Sequence, residues 1–119
     1  MAKGIKANEE CKKHIMAVHD AIDVLNGKWK ISIVATLFYH TKRRFSDMLH
    51  DIEGISNKML SKELKELEMN KLVKRTVLNT QPVTVEYELT DYGQKLETVI
   101  NNLSDWGKVH REEITGKNL

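Results

Sequence analysis

The chain has 119 residues and a net charge of +2, which is the size of one globular domain with a modest core. Its single cysteine excludes an internal disulfide framework, and no apolar run approaches the roughly 20 residues that cross a bilayer. The first residues are polar and lack the apolar centre of a secretory signal, so we expect a cytoplasmic protein.

The positive charge is concentrated in the middle of the chain. The segment from Lys28 to Arg75 holds 11 basic and 6 acidic residues, whereas the remainder holds 8 basic and 11 acidic residues. Such a distribution suits a polyanion bound by the middle of the chain, while the two ends serve another purpose.

Residues 1–8 are predicted to be a flexible N-terminus, and residues 9–115 a single domain. A first helix is predicted from about Glu9 to Leu25, since apolar residues recur there at helical spacing. These residues are Ile15, Val18, Ile22 and Leu25. Gly27 follows, and glycine adopts the left-handed conformation that closes helices.

The segment KWKISIVATLFYH predicts a second helix. Trp29, Ile33 and Leu37 form one apolar row, and their neighbours widen it, so this helix belongs in the middle of the core. The next segment, TKRR, is interpreted as a cationic connection.

A short helix, FSDMLHDIEG, is predicted next, followed by a tight turn that Gly54 permits. Ser56 is a suitable N-cap for another helix, which ends near Asn70. Leu60, Leu64 and Leu67 fall on one face of that helix. Two helices joined in this way, over about residues 45–70, form a helix-turn-helix.

The apolar period then changes from helical to alternating. VKRTVL and VTVEYEL each predict a strand, and NTQP between them supplies turn residues. The hairpin, about residues 72–89, is a wing, and Thr90 caps a last helix over about residues 90–115. The predicted fold is mainly α with a small β-hairpin: a winged helix-turn-helix with additional N- and C-terminal helices.

The helix after Ser56 has a basic face. At 100° per residue, Lys58, Lys62 and Lys65 cluster opposite its leucines, with Asn57 and Ser61 beside them. A recognition helix needs this division, because one face anchors it and the other enters the major groove. The alternative is a solvated helix whose lysines confer solubility and pair with Glu63 and Glu66 at helical spacing.

Three further basic clusters favour DNA binding. They are Lys28 and Lys30 at the start of the second helix, Lys42, Arg43 and Arg44 before the helix-turn-helix, and Lys71, Lys74 and Arg75 at the start of the wing. Helix starts and wings are where such proteins usually contact the phosphate backbone, and these contacts weaken as salt rises.

Several motifs together resemble the HxlR-type branch of winged helix-turn-helix transcription regulators. They are DVLNGKWKISIV, RRFSDMLHDIEGISNKMLSKELKELEMNKLVKR, VEYELTDYGQKL and SDWG, within about residues 15–110. The resemblance implies a bacterial, DNA-binding homodimer whose first and last helices form the interface. It also implies that Arg43, Arg44, Ser56, Asn57, Lys58 and Lys62 lie at or near DNA.

Two features depart from that family. Its wing often carries Pro-Pro-Arg before VEY, where this chain has Pro82, Val83 and Thr84 and no arginine. Many members also carry a cysteine shortly before the Gly-Lys-Trp motif, whereas Cys11 lies several residues further upstream.

Cys11 is a candidate redox sensor because it precedes Lys12, Lys13 and His14, and nearby cations favour the reactive thiolate. The alternative is an inert thiol near a mobile end, with no second cysteine in the chain to resolve a sulfenate. Cys11 and His14 could also be two ligands of a metal, but no second pair has ligand spacing, so no metal or cofactor is predicted.

The last helix carries an apolar seam at alternating steps of four and three residues, longer than one small domain must bury. We expect Tyr92 and Leu96 to pack on the core and the rest to form a two-fold dimer with the first helix. The expected interface residues are Ile15, Val18, Ile22, Val99, Leu103, Trp106 and His110. A two-fold dimer would present recognition helices about 34 Å apart to a near-palindromic operator.

The sequence therefore predicts a homodimeric regulator of transcription that binds a duplex-DNA operator, with repression favoured, at the bacterial nucleoid. The predicted DNA-binding residues are Arg43, Arg44, Ser56, Asn57, Lys58, Ser61, Lys62, Lys65, Lys74 and Arg75. A winged helix that binds only other proteins is the alternative, since fold does not fix function. An enzyme is disfavoured because no phosphate loop, nucleophile motif or paired-carboxylate pattern is present.

Overall fold

A computed structural model describes the backbone of residues 5–118 and the side chains of residues 8–118. The elements in chain order are α1 (Ile5–Val24), α2 (Gly27–His40), β1 (Lys42–Arg44), α3 (Phe45–Asp51), α4 (Asn57–Met69), β2 (Val73–Leu78), β3 (Thr84–Leu89), α5 (Asp91–Gln94) and α6 (Glu97–Thr115). The predicted fold class, a winged helix-turn-helix, is confirmed.

The first helix begins earlier than the sequence predicted. α1 starts at Ile5 rather than Glu9, so half of the segment predicted to be flexible is helical, and the other half, residues 1–4, lies outside the described residues. Gly27 has the expected positive φ of 75°, although it already belongs to the first turn of α2.

The wing contains three strands rather than the predicted two. The TKRR segment, predicted to be a connection, supplies β1, and β1 pairs antiparallel with β3 in the sheet order β1–β3–β2. Arg43 lies opposite Tyr87, and Arg75 lies opposite Tyr87 on the other side. The free edge of β3 offers unpaired backbone groups, and β1 satisfies them.

The core lies between α2, the helix-turn-helix and the sheet. Ile33, Val34 and Leu37 of α2 are at most 1% exposed, as are the inward leucines of α4. Around them pack Met48, Ile52, Ile55, Leu72, Val73, Tyr87 and Leu89. Burying α2 on so many sides accounts for its broad apolar face.

The predicted last helix is two helices. Backbone N–H groups of Lys95 and Leu96 bond to carbonyls three residues back, at Tyr92 and Gly93, and this tighter turn separates α5 from α6. α5 is held against the start of the wing, because a Cβ on Gly93 would lie 2.1 Å from the carbonyl oxygen of Leu72. The direction of α6 is therefore set by a backbone-to-backbone contact.

α1 and α6 extend away from the core. Neither contains a buried residue among the side chains described. The radius of gyration is 17.8 Å, against about 13–14 Å for a compact chain of this length. The two terminal helices therefore leave most of their apolar faces uncovered within one copy of the chain.

Candidate nucleic-acid interface

α4 is held in place at its first turn and along its inner face. The Ser56 hydroxyl accepts a hydrogen bond from the Met59 N–H at 3.1 Å, as the predicted N-cap requires. Leu60, Leu64 and Leu67 are 0%, 1% and 0% exposed. The spacing of these leucines therefore determines which face of α4 is buried and, as a consequence, which face is exposed.

That outer face carries free cations. Lys58, Lys62 and Lys65 are exposed, with Asn57 and Ser61 exposed near the N-terminal end of the helix. Among the ion pairs between described residues, none involves these three lysines. The interpretation in which they pair with Glu63 and Glu66 is therefore wrong for this structure.

Glu63 and Glu66 bind Lys30 instead. The Lys30 ammonium lies 2.5 Å from one carboxylate oxygen of each glutamate and 3.2 Å from Asn26 Oδ1. Lys30 is 4% exposed and Glu63 is 7% exposed. The prediction that Lys30 contacts phosphate is wrong, because its charge is buried between α2 and α4.

Lys30 is held in its charged form. Burial by itself would lower the pKa of Lys30, but its hydrogen bonds to Glu63 and Glu66 outweigh burial and raise the pKa above its ordinary value. The hydrogen bond from Lys30 likewise lowers the pKa of the Glu66 carboxyl. Lys30 therefore ties two acidic side chains of α4 to the start of α2.

The two arginines before α3 are also paired. Arg43 donates two hydrogen bonds to Asp51, from Nε to Oδ2 at 2.8 Å and from Nη2 to Oδ1 at 2.7 Å. Arg44 Nε donates to Asp47 Oδ2 at 3.1 Å. The Arg43 side chain is 25% exposed and that of Arg44 is 56% exposed, so Arg44 presents more of its charge to solvent.

The wing carries two more cations. Lys74 and Arg75 are exposed on β2. Arg75, with Ser61, Lys65, Glu68 and Tyr87, lines a polar cleft between α4 and the sheet. Of the predicted contacts, Ser61 and Lys65 of α4 and Arg75 of the wing therefore lie at one cleft, whereas Lys74 precedes Arg75 in the strand and lies on the other face of the sheet. The tip of the wing is uncharged, and Val83 there is 61% exposed.

The predicted interface residues are exposed and apolar. Val18 and Ile22 of α1 and Val99 and Leu103 of α6 line one apolar groove. Ile15 is 48% exposed and Trp106 is 66% exposed, and the Trp106 ring stacks on His110 at a centroid distance of 4.9 Å. Leu96 packs against the core as expected, but Tyr92 is 59% exposed, which corrects its predicted burial.

Cys11 is exposed on α1, as a sensing thiol needs to be. No group of three or more His, Cys, Asp or Glu side chains within residues 8–118 is arranged to hold a metal ion. Over the same part of the chain, no helix has the length and apolar character needed to cross a membrane.

The buried Lys30 cluster is the feature that the sequence analysis missed. A signal was present, because Lys30 precedes Ile33, Val34 and Leu37 by three, four and seven residues and so lies on the apolar stripe of α2. Glu63 lies on the leucine side of α4 by the same rule. Opposite charges on two facing apolar stripes predict a buried ion pair.

The chain is similar to known helix-turn-helix regulators of transcription. A family model described as HxlR-like helix-turn-helix matches residues 24–115. The HTH-type transcriptional regulator YtcD of Bacillus subtilis is 38% identical over 107 residues, which are 90% of this chain and 84% of that protein. The crystal structure of YtcD has a TM-score of 0.73 at 40% identity and covers 78% of this chain and 94% of that one.

Two of the similar structures are regulators in their reduced forms. The redox regulator HypR in its reduced form has a TM-score of 0.74 at 33% identity, covering 85% of this chain and 99% of that one. The reduced form of the transcriptional regulator YodB from B. subtilis has a TM-score of 0.71 at 33% identity, covering 84% of this chain and 94% of that one.

Proposed function

This chain belongs to the HxlR-like helix-turn-helix family of transcriptional regulators, and from that premise we propose that it binds a specific duplex-DNA operator as a homodimer. The proposal places it in the bacterial cytoplasm at the nucleoid and makes it a repressor. Repression is the simpler outcome, because a dimer that occupies a promoter excludes other proteins without any further contact.

The observation that carries the proposal is the free cationic face of α4. Lys58, Lys62 and Lys65 are exposed and lie opposite a row of buried leucines, so the face that meets a duplex groove is the charged one. Asn57 and Ser61, near the N-terminal end, are the groups placed to contact base edges. Lys74 and Arg75 on the wing supply phosphate contacts beside them.

Arg43 and Arg44 take different parts in the proposal. The guanidinium of Arg43 is occupied by Asp51 and keeps β1 against the end of α3, so its contribution is to position the helix-turn-helix. Arg44, more than half exposed, keeps donors free for a phosphate.

The homodimer is supported by the uncovered apolar faces of α1 and α6. Val18, Ile22, Val99 and Leu103 form a single apolar surface that no residue of the same copy covers among those described. A contiguous apolar patch on a chain with 30% charged residues indicates a protein interface. Two copies related by a two-fold axis would each cover this surface of the other.

The experiment is selection of bound duplexes from a random-sequence library by the purified protein, followed by affinity measurements across a series of salt concentrations. We expect a near-palindromic consensus and an affinity that falls steeply with salt, because the bound phosphates regain counterions. If no sequence is enriched and heparin does not retain the protein at low salt, it is instead a module that binds only other proteins.

A redox response is a second candidate, favoured by the HypR and YodB structures. Cys11 is the thiol that would react, and it is exposed on the helix proposed to form the dimer. Diamide takes two hydrogens from two thiols to form a disulfide, so the second thiol would be Cys11 of the other copy, and that bond would alter the relative placement of the two recognition helices. Diamide should then weaken DNA binding by the wild type but not by Cys11→Ser. An equal response from Cys11→Ser, or no response from the wild type, would remove Cys11 as the sensor.

A further inference from the structure

We infer that Lys30 is a positioning residue for DNA recognition: its ammonium holds Glu63 and Glu66 and so sets the rotation of α4 about its own axis. The inference rests on the proposed function, since it concerns how α4 meets DNA. Lys30 itself touches no DNA, because its side chain is 5% exposed.

Lys30 binds two side chains on one side of α4, Glu63 and Glu66, and these three residues are called the clamp below. Glu63 and Glu66 are three residues apart, so their side chains leave α4 on the same side, one turn apart. A single ammonium binds one oxygen of each, and Asn26 Oδ1 accepts its third hydrogen bond. An ammonium has three donors, so Lys30 is fully used and cannot shift without losing one of them.

The leucines alone do not determine this rotation. Leu60, Leu64 and Leu67 determine which face of α4 is buried, but apolar contacts are non-directional and so leave room for small rotations of the helix. A buried ion pair does not tolerate them, because its hydrogen bonds need specific distances and directions. A rotation of about 20° at the radius of a lysine side chain moves its ammonium by a few ångströms, which is enough to break a contact with a base edge.

A buried ion pair is a weak source of stability, because desolvating the two charges offsets most of their attraction. The presence of the Lys30 ion pairs is therefore better explained by their effect on the orientation of α4 than by a gain in folding stability. The consequence is specific: breaking the clamp should lower affinity for the selected sequence more than affinity for random sequence. Contacts to phosphate by flexible exposed lysines survive a small rotation, whereas contacts to base edges do not.

The test compares two variants whose charge changes are opposite. Lys30→Met removes one positive charge, and the double variant Glu63→Leu with Glu66→Leu removes two negative charges together with both acceptors of the Lys30 ammonium. Both break the clamp. We expect both to reduce the ratio of affinities for the selected and a scrambled duplex by about tenfold. If net charge alone mattered, Lys30→Met would weaken DNA binding, whereas the double variant at Glu63 and Glu66 would strengthen it.

Two controls isolate the clamp. Lys117→Met removes one positive charge beyond the end of α6, and Glu97→Gln removes one exposed negative charge from the start of α6, far from the clamp along the chain. Both should keep the wild-type affinity ratio. The slope of affinity against salt should also be unchanged in Lys30→Met, because no phosphate contact is lost.

The outcomes separate the inference from the proposed function. If the wild type selects no sequence, the proposed function fails. If the wild type selects one and folded Lys30→Met keeps the affinity ratio, the inference is overturned. Should Lys30→Met fail to fold, Glu66→Ala decides, since it removes one of the two acceptors that hold the ammonium, while the Glu66 side chain is 41% exposed and the buried Lys30–Glu63 pair is kept. An unchanged ratio in that variant also overturns the inference.

Discussion

Arg43 and Asp51 join the edge strand of the wing to the end of α3 through two parallel hydrogen bonds, at 2.8 and 2.7 Å. Such a forked pair is directional, and a lysine at position 43 could not reproduce it. The pair therefore connects the two halves of the proposed DNA-binding surface, the sheet and the helix-turn-helix.

The first prediction concerns pH. The hydrogen bond from Arg43 lowers the pKa of Asp51 below its ordinary value. The folded chain thus keeps this carboxylate ionised at pH values where the unfolded chain has begun to take up a proton, and stability falls as pH drops below about 4. We expect Asp51→Asn to be less stable than the wild type near neutral pH and to lose less of its stability on acidification.

Denaturant titrations at about pH 7 and about pH 3, at one protein concentration, measure this effect. Glu53→Gln, which removes an exposed carboxylate that is in no ion pair between described residues, is the matched control. Parallel pH profiles for Asp51→Asn and the wild type would show that the Arg43–Asp51 pair contributes nothing to stability.

The second prediction concerns the contact between α5 and the wing. A Cβ on Gly93 would lie 2.1 Å from the Leu72 carbonyl oxygen, so Gly93→Ala must move backbone against backbone. We expect a loss of roughly 1–3 kcal/mol in the free energy of unfolding. Gly107→Ala is the control, since nothing lies within 4 Å of its Cβ position and alanine favours a helix. Equal melting temperatures for the two variants would contradict the close contact.

The third prediction separates the two faces of α4. Lys58→Ala and Lys62→Ala should each keep the wild-type melting temperature, weaken DNA binding and reduce the slope of log affinity against log salt by about 0.9. Leu64→Ala, on the buried face, should instead cost roughly 2–5 kcal/mol of stability. Operator affinity that is unchanged in both lysine variants would mean that a different face of the protein meets DNA.

The fourth prediction concerns assembly. Leu103→Glu places a charge in the apolar groove between α1 and α6, which a second copy would have to bury. Sedimentation velocity should show a dimer for the wild type and a monomer for this variant. Tyr39→Glu is the control, because Tyr39 is 90% exposed on α2 and outside the proposed interface. A dimer that survives Leu103→Glu would place the interface elsewhere.

The sequence alone determined the helix-turn-helix and the hairpin. Leu60, Leu64 and Leu67 with Ser56 specified where α4 starts and which face it buries, because helical period and capping act over a few neighbouring residues. The alternation from Val73 to Leu89 specified the hairpin for the same reason. The exposed positions of Lys58, Lys62 and Lys65 followed directly from that period.

Only the tertiary structure decided what depends on partners distant in the chain. Lys30 was predicted to contact phosphate, but Glu63 and Glu66 on another helix bury it. Residues 42–44 became a strand because β3 offered a free edge, and the last helix divided at Lys95 and Leu96, just after the close contact of Gly93 with Leu72. Local sequence specifies which face of a helix is apolar, whereas the pairing of a buried charge or a strand edge is set by what folding brings beside it.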